Sequence, residues 1–337
     1  MKKFQIRALD VGGHTKSLVF EGNNCGELWF ANGFPDKIPS VETPHDVESS
    51  EFVERLENAL FGAGLIDPKH DTLRGMSICG PVTDNVCLRP INRGVKGPFH
   101  IPDDYAVLND GMAATIASKI AGVAKDHEGA LLLLTLGTGV GMGSFIWSNG
   151  QLAMNDGEAH VTVRNSVRRC QCGRFGCLEA AANELFLKDA LISRAIPENE
   201  IGDDVGRALE SFLKLNDSKG MNYQGKAQNT LDLWHRNLAD GLASMYALLN
   251  LGGNDMLPPA MFVMAGGLSA LIDENALAGY IRNEFANDPF MGSNFLVRRE
   301  NMLGNRAGCI GVAALALAKR LECNVLDIKF LDKAPKK

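Results

Sequence analysis

No stretch of this chain approaches the roughly 18 consecutive uncharged apolar residues of a membrane-spanning helix. The longest candidate, Gly308 to Ala318, is too short. No apolar leader follows the start either: Met1-Lys2-Lys3-Phe4-Gln5-Ile6-Arg7 runs directly towards Asp10, so a secretory signal is not expected. An excess of positive charge is also missing, since 34 Lys and Arg stand against 40 Asp and Glu, giving a formal net charge of −6. That balance argues against general attraction to nucleic acid or anionic membrane, although one cleft can still be locally electropositive. Low-complexity tracts are absent apart from the short basic end, Lys333 to Lys337. These absences point to a cytoplasmic protein whose partner is a small molecule, not a membrane or a nucleic acid.

What is present fits an ordinary globular protein, with 45% apolar and 22% charged residues in 337. That length is comfortable for two cores, because domains typically run to roughly 100–200 residues. A chain this large needs no disulfide staples. Among the eight cysteines, Cys170, Cys172 and Cys177 are bunched, while Cys25, Cys79, Cys87, Cys309 and Cys323 are scattered in apolar surroundings. The expectation is five buried thiols and one metal cluster.

A weak internal repeat organises the chain. Gln5 to Leu28 reads as strand, glycine turn, strand, then Asn24-Cys25-Gly26; Leu131 to Leu152 reads the same way, then Asn149-Gly150-Gln151. Two such hairpins, each opening one half, suggest duplicated domains. Ser49-Ser50 precedes Phe52, Leu56 and Leu60 at four-residue spacing, with Gly62 and Gly64 beyond, which predicts a capped helix with a glycine stop. Strands are expected near Gly75–Cys79 and Tyr105–Leu108, and a small-residue helix over Gly111–Ala121. In the second half, helices are expected at Leu178–Arg194, Asp203–Leu215, Thr230–Leu251, after Ser269, and from Arg306 to Leu321. A strand is expected at Met261–Met264, and the polar stretch Lys214–Gln228 reads as a surface loop. Alternating strands and helices make the fold α/β. The expected domains are 1–121, then 122–304, with 305–337 as a helix and tail packing back towards the first.

Four motifs carry chemistry. In Leu9-Asp10-Val11-Gly12-Gly13-His14-Thr15 a strand ends in a carboxylate and two glycines permit a tight turn. Such a turn is either a plain hairpin or an anion-binding nest of backbone N–H groups, and its carboxylate would suit a hydrated Mg²⁺. Thr135-Leu136-Gly137-Thr138-Gly139-Val140-Gly141-Met142-Gly143 follows an apolar run and leads into strand-like residues. It lacks the Gly-Lys-Ser/Thr ending of a Walker loop and does not open a helix, so it fits a phosphate cradle built on a sheet. Asn109-Asp110-Gly111 ends an apolar strand where a helix begins. Asp110 there is an N-cap, or a general base kept ionised by the helix N-terminus, and the two roles are compatible. His160 with Cys170-Gln171-Cys172-Gly173-Arg174-Phe175-Gly176-Cys177 supplies one imidazole and three thiolates, a closed tetrahedral zinc site. Four ligands leave no open position, so the metal is expected to be structural, which argues against a zinc hydrolase. Arg164, Arg168, Arg169 and Arg174 nearby read as a solvated face. Glu158 and Glu179 flank the cluster.

Together these residues resemble the ROK family of sugar kinases and sugar-responsive repressors, within the actin-like ATPase superfamily. The resemblance takes in Asp10-Val11-Gly12-Gly13, Gly80-Pro81-Val82, Asn109-Asp110, Leu136 to Gly141, His160 through Glu179, Ala265-Gly266-Gly267 and Gly308 to Ala314. It implies two actin-like (ribonuclease H-like) domains with an interdomain cleft, and transfer of the ATP γ-phosphoryl group to the 6-hydroxyl of a hexose or N-acetylhexosamine. It implies Asp110 as catalytic base, and Asn109, Glu158, His160 and Glu179 as sugar contacts. It also implies Asp10, Gly12, Gly13, Thr15, Gly137, Thr138, Gly139, Gly266 and Gly267 around the nucleotide and its Mg²⁺, structural Zn²⁺ on His160, Cys170, Cys172 and Cys177, and a homodimer.

The chain departs from the family pattern at four places, one of them the stretch Leu152–Glu158, which is several residues short. His14 takes the place of a Thr that comes one residue later, Gly157 stands where a Glu is usual with Glu158 shifted by one, and Met112 replaces an Asn. A non-catalytic sugar sensor is the alternative reading. Because the first strand opens at Gln5, a preceding helix-turn-helix is not expected, nor DNA binding with it.

Overall fold

The computed structural model describes residues 2–12, 14–66, 72–88, 95, 97–148, 151–164, 166–215, 222–248, 258–285 and 295–335, and of residues 156–158 the backbone alone. By its contacts the chain divides into two compact units. One comprises Met1–His127, Asn155–Gly157 and Met302–Lys337; the other comprises Glu128–Met154 and Glu158–Asn301.

The first unit opens with a meander of β1 (Lys3–Val11), β2 (His14–Asn23) and β3 (Glu27–Phe30), and β4 (Ser40–Glu42) pairs with β2. Helix α1 (Phe52–Gly62) buries Phe52, Leu56 and Leu60. Its start is not capped by serine: Ser49–Glu51 forms a 3-10 turn that runs straight into the helix. β5 (Leu73–Ile78) follows, parallel to β1. Next comes a small sheet of β6 (Val82–Thr83), β7 (Val86–Cys87) and β8 (Phe99–His100), too short to show a sequence period. β9 (Tyr105–Asn109) joins β5 in parallel and leads directly into α2 (Asp110–Ala121).

The second unit repeats the scheme with β10 (Leu131–Leu136), β11 (Val140–Ser148) and β12 (Gln151–Glu158). It continues through α3 (Leu178–Ala182), α4 (Glu184–Ser193), α5 (Glu198–Ile201), α6 (Val205–Lys214) and α7 (Tyr223–Leu248). β13 (Ala260–Ala265) lies parallel to β10, and α8 (Glu274–Glu284) connects it to β14 (Phe295–Arg299), again parallel. The chain then returns to the first unit with α9 (Ala307–Leu321) and β15 (Lys329–Phe330), which pairs with β3.

Both main sheets run from the third strand of the meander through the second and first to two parallel strands: β3-β2-β1-β5-β9 and β12-β11-β10-β13-β14, with β15 added outside β3 in the first. The fold is thus α/β, with one strand order used twice. In the second unit the parallel strands β10 and β13 are nearly continuous apolar runs, as strands covered on both faces must be.

Several expectations change. The helix predicted over Leu178–Arg194 is broken at Asn183, whose extended backbone ends α3 and whose side chain caps α4 by accepting from the Phe186 N–H. The break is held from outside, because Trp234 Nε1 and Asn237 Nδ2 donate to the Ala182 and Ala181 carbonyls. Helix α7 begins at Tyr223, inside the expected loop Lys214–Gln228, and Leu249 to Leu251 lie outside the described residues. Its first turns are fixed by burial of Tyr223 and Ala227, with Tyr223 against Phe212 of α6. Cys25 and Cys323 are exposed and Cys79 is half-buried; of the five scattered thiols only Cys87 and Cys309 are buried.

Candidate functional site

In the first unit, strand register decides which groups meet. Asp10 pairs with Lys16 across the hairpin and Val11 with Thr15. Side chains alternate faces along a strand, so Asp10 and Lys16 share one face and Thr15 turns to the other. Lys16 Nζ lies 2.9 Å from Asp10 Oδ2, and Ser77 Oγ donates to Asp10 Oδ1 at 3.1 Å. The carboxylate also rests on α9 at Gly308, where any Cβ would run into it. Burial alone would lower the Lys16 ammonium, but the charge and hydrogen bond of Asp10, and the charge of Asp110, raise its pKa above the ordinary value. Thr15 is fully buried and its hydroxyl bonds Thr43 at 2.8 Å. Gly13 lies outside the described residues.

Asn109, not Asp110, caps α2. Its Oδ1 accepts from the Gly111 N–H at 2.8 Å and the Met112 N–H at 3.4 Å, while Nδ2 donates to the Gly80 carbonyl at 3.0 Å. Asn is among the best N-caps, and its taking that place leaves Asp110 as the first helical residue. A carboxylate there sits in the positive field of the helix start, which favours its ionised form.

In the second unit the β10–β11 turn carries Gly137, Thr138 and Gly139. It is braced internally: Thr135 Oγ1 accepts from the Gly141 N–H at 3.1 Å, and the Gly137 N–H donates to the Gly139 carbonyl. The Thr135 hydroxyl therefore shapes the turn, while Thr138 Oγ1 is exposed 3.5 Å from Glu184 Oε2. Gly266 follows β13 with φ +87, and a Cβ there would collide with the Leu136 carbonyl oxygen, so only glycine lets β13 exit so close to β10. The result is a pocket of about 500 Å³ that brings Gly137, Thr138 and Gly267 together with Glu184, Arg207 and Glu210. The last three were not anticipated. Arg207 and Glu210 sit on the exposed side of an amphipathic helix, which in the sequence looks like any solvated face.

The His160 and cysteine cluster is assembled by the loop between β12 and α3. A Cβ at Gly176, φ +73, would lie 2.6 Å from the Ser166 carbonyl oxygen. The Cys170 N–H donates to the Arg174 carbonyl and the Gly173 N–H to the Cys170 carbonyl, closing a tight turn. The ligand atoms of His160, Cys170, Cys172 and Cys177 all fall within 4.8 Å of one another. Cys170 Sγ lies 3.5 Å from His160 Nδ1, and Cys172 Sγ lies 3.6 Å from Cys177 Sγ. A tetrahedral zinc with ordinary bond lengths separates its ligands by about 3.5–3.8 Å, so the donor set and spacing fit that ion. Glu179 stands beside the cluster, with Oε2 at 3.4 Å from His160 Nδ1 and 3.5 Å from Cys170 Sγ. Its Oε1 lies against Gly139. The side chain of Glu158 is outside the described residues. Burial pushes the Cys170 thiol up to about 12 and also raises Cys177. At Cys172 burial is outweighed by the Arg174 backbone N–H and the neighbouring thiols, and its pKa is lowered.

Three of the four nearby arginines are held within the protein. Arg164 pairs with Asp240 and Glu284, Arg168 reaches Asp189 at 2.6 Å, and Arg174 donates to the His160 carbonyl.

A doubled α/β sheet order with a His-Cys₃ cluster beside one glycine turn defines a class, and comparison supplies its family. The ROK family model matches residues 89–319, and the chain belongs to that family. It is 37% identical over 202 residues to a glucokinase of Thermotoga maritima, covering 56% of this chain and 60% of that one. It is 29% identical over 134 residues to the xylose repressor of Bacillus subtilis, covering 35% and 34% of the two chains. The matched stretches thus span less than two thirds of these relatives. Among solved structures, a ROK family glucokinase from Streptomyces griseus, in complex with glucose and AMPPNP, superposes with a TM-score of 0.59 at 22% identity over 94% of this chain and 99% of that one. The shared fold is the actin-like one.

Proposed function

We propose that this chain is an ATP-dependent sugar kinase that phosphorylates a hexose or N-acetylhexosamine, at its 6-hydroxyl, with Asp110 as the general base. The observation that carries the reading is the place of Asp110 at the head of α2. Asn109 is the N-cap, and Asp110 opens the first turn, where its Oδ1 accepts from the Gly111 N–H at 2.9 Å and the helix start favours the ionised carboxylate. An ionised carboxylate there can take the hydroxyl proton as the alcohol attacks phosphorus.

The remaining roles follow from chemistry. The pocket at Gly137, Thr138 and Gly267 suits adenosine and its phosphates, and its volume lies in the range of small-molecule sites. The structure of a relative that holds AMPPNP favours ATP as donor. Asp10 has one oxygen on Lys16 and the other on Ser77, so it would meet Mg²⁺ through the ion's water shell. When bound, Mg²⁺ offsets charge on the β- and γ-phosphates. Structural zinc would be held by His160, Cys170, Cys172 and Cys177, fixing the loop from which His160 and Glu179 meet sugar hydroxyls. Asn109, with Oδ1 engaged by the helix, would have its second amide hydrogen available for the sugar.

The test is ADP release with Mg·ATP against a panel of aldoses, ketoses and N-acetylhexosamines. One sugar class is expected to stimulate turnover, and Asp110→Asn is expected to lower kcat at least ~10³-fold while sugar affinity persists. A blank panel, or an Asp110→Asn variant with full turnover, would overturn the reading. The xylose repressor match favours a second reading, a non-catalytic sugar sensor, which predicts sugar binding without ADP release.

A further inference from the structure

Helix α7 does more than pack the second core. Its residues 234, 237, 240 and 241 recur at helical spacing on one face, and each grips a segment bordering the metal loop. Trp234 Nε1 and Asn237 Nδ2 hold the last carbonyls of α3, at 2.7 and 2.8 Å. Gly241 lies against Leu178, where a Cβ would come within 2.7 Å of Leu178 Cδ2. Asp240 grips the other edge: one oxygen accepts from the Arg164 backbone N–H, and the other accepts from Arg164 Nε at 2.9 Å. The Arg164 guanidinium also reaches Glu284 on α8.

Asp240 is only 8% exposed, although Arg164 is largely open to solvent. A buried carboxylate is costly unless its oxygens are satisfied, and here both acceptors are spent on one residue four positions after His160. The two gripped edges are joined to each other. The Leu178 N–H donates to the Val161 carbonyl, the Glu179 N–H to the Ala159 carbonyl, and the Val163 N–H to the Gly176 carbonyl. His160 and Glu179 thus sit side by side on a two-stranded lip whose margins are both fastened to α7. A metal inside the loop fixes the sulfurs relative to the imidazole; it does not fix the lip relative to the sheet.

From this arrangement we infer that Asp240 is a positioning residue for the sugar contacts His160 and Glu179, acting through its clamp on Arg164. The inference rests on the kinase reading for its functional consequence, and its structural half can be tested without turnover. Asp240→Asn preserves shape but replaces one acceptor oxygen with an NH₂ donor and removes the charge from the other. In the zinc-loaded protein, amide hydrogen exchange is expected to rise selectively in peptides covering 159–179, with β10 and β13 peptides unchanged. The sugar KM is expected to rise ~10-fold, with the ATP KM within ~2-fold, since the lip touches one substrate only. A merely stabilising role would instead speed exchange throughout the second unit and lower Tm without moving the sugar KM, and that result would overturn the inference. If the parent protein shows no sugar-dependent turnover, the kinase reading fails, and the exchange pattern still decides whether the clamp exists. Should Asp240→Asn fail to fold, Arg164→Lys retains a cation but loses the Nε donor. It is expected to give the same selective exchange and KM split in milder form, and wild-type values for both would equally overturn the proposal.

Discussion

At the scale of single residues, burial outweighs charge at His235, the reverse of Lys16. His235 is 3% exposed beside Trp234 and Tyr280, and its Nε2 has no hydrogen-bond partner. Burial holds its pKa below the ordinary 6.5, with Asp232 and Asp273 opposing in part. The unfolded chain therefore takes up a proton that the folded chain refuses just below that value. Stability is full above about pH 7 and falls as the pH drops through the window beneath the unfolded pKa. His235→Phe is expected to lose less Tm than the parent between about pH 7 and 5.5, as followed by thermal melts. The cluster thiols predict a second dependence. Cys170 and Cys177 have raised pKa values, so loading a metal there must expel protons. Zinc transfer to a chelator is expected to be faster at low pH than at high pH, read from the colour of the chelate. The residue types at this cluster were fully legible in the sequence, because three cysteines and two glycines within eight positions are a local signal. Glu184, Arg207 and Glu210 were not, since only the fold brings them to the pocket.

At the scale of elements, close approach is the recurring device. Helix α9 is buried from Gly308 to Ala318 and packs on α2, β1 and β5. Gly311 touches the Ala113 backbone with no room for a side chain, and a Cβ at Gly75 would lie 2.6 Å from the Val312 carbonyl oxygen. Gly311→Ala is expected to destabilise the first unit by roughly 1–3 kcal/mol, the usual cost of overpacking, visible as a lowered urea midpoint. The sequence displayed this helix as an unbroken apolar run, and the helix was predicted almost to its ends. The division of Leu178–Arg194 into α3 and α4 could not be seen there, because it depends on Trp234 and Asn237, more than fifty positions away. The early start of α7 was hidden for a related reason: Tyr223 and Ala227 are apolar positions in a polar stretch, and only α6 reveals their purpose.

At the scale of the whole molecule, one strand order serves twice, and the repeated hairpins that suggested duplication are the first strands of the two sheets. The cluster of His160, Cys170, Cys172 and Cys177 belongs wholly to the second unit. Chelation is therefore expected to raise hydrogen exchange there, first in 159–179, while β1 and β5 keep their protection; equal loss in both units would show that the cluster governs more than its own sheet. The return of α9 has a further consequence, for the order of synthesis. The first sheet leaves the ribosome early, yet the helix that covers β1 and β5 emerges roughly 200 residues after α2, a delay of about 10–40 s at usual elongation rates. During that interval the amino-terminal sheet waits with one apolar face uncovered, while the strands of the later unit are still being made, the last of them only just before α9. The half made first is the half finished last, and the nascent chain is most exposed to chaperone capture and aggregation there.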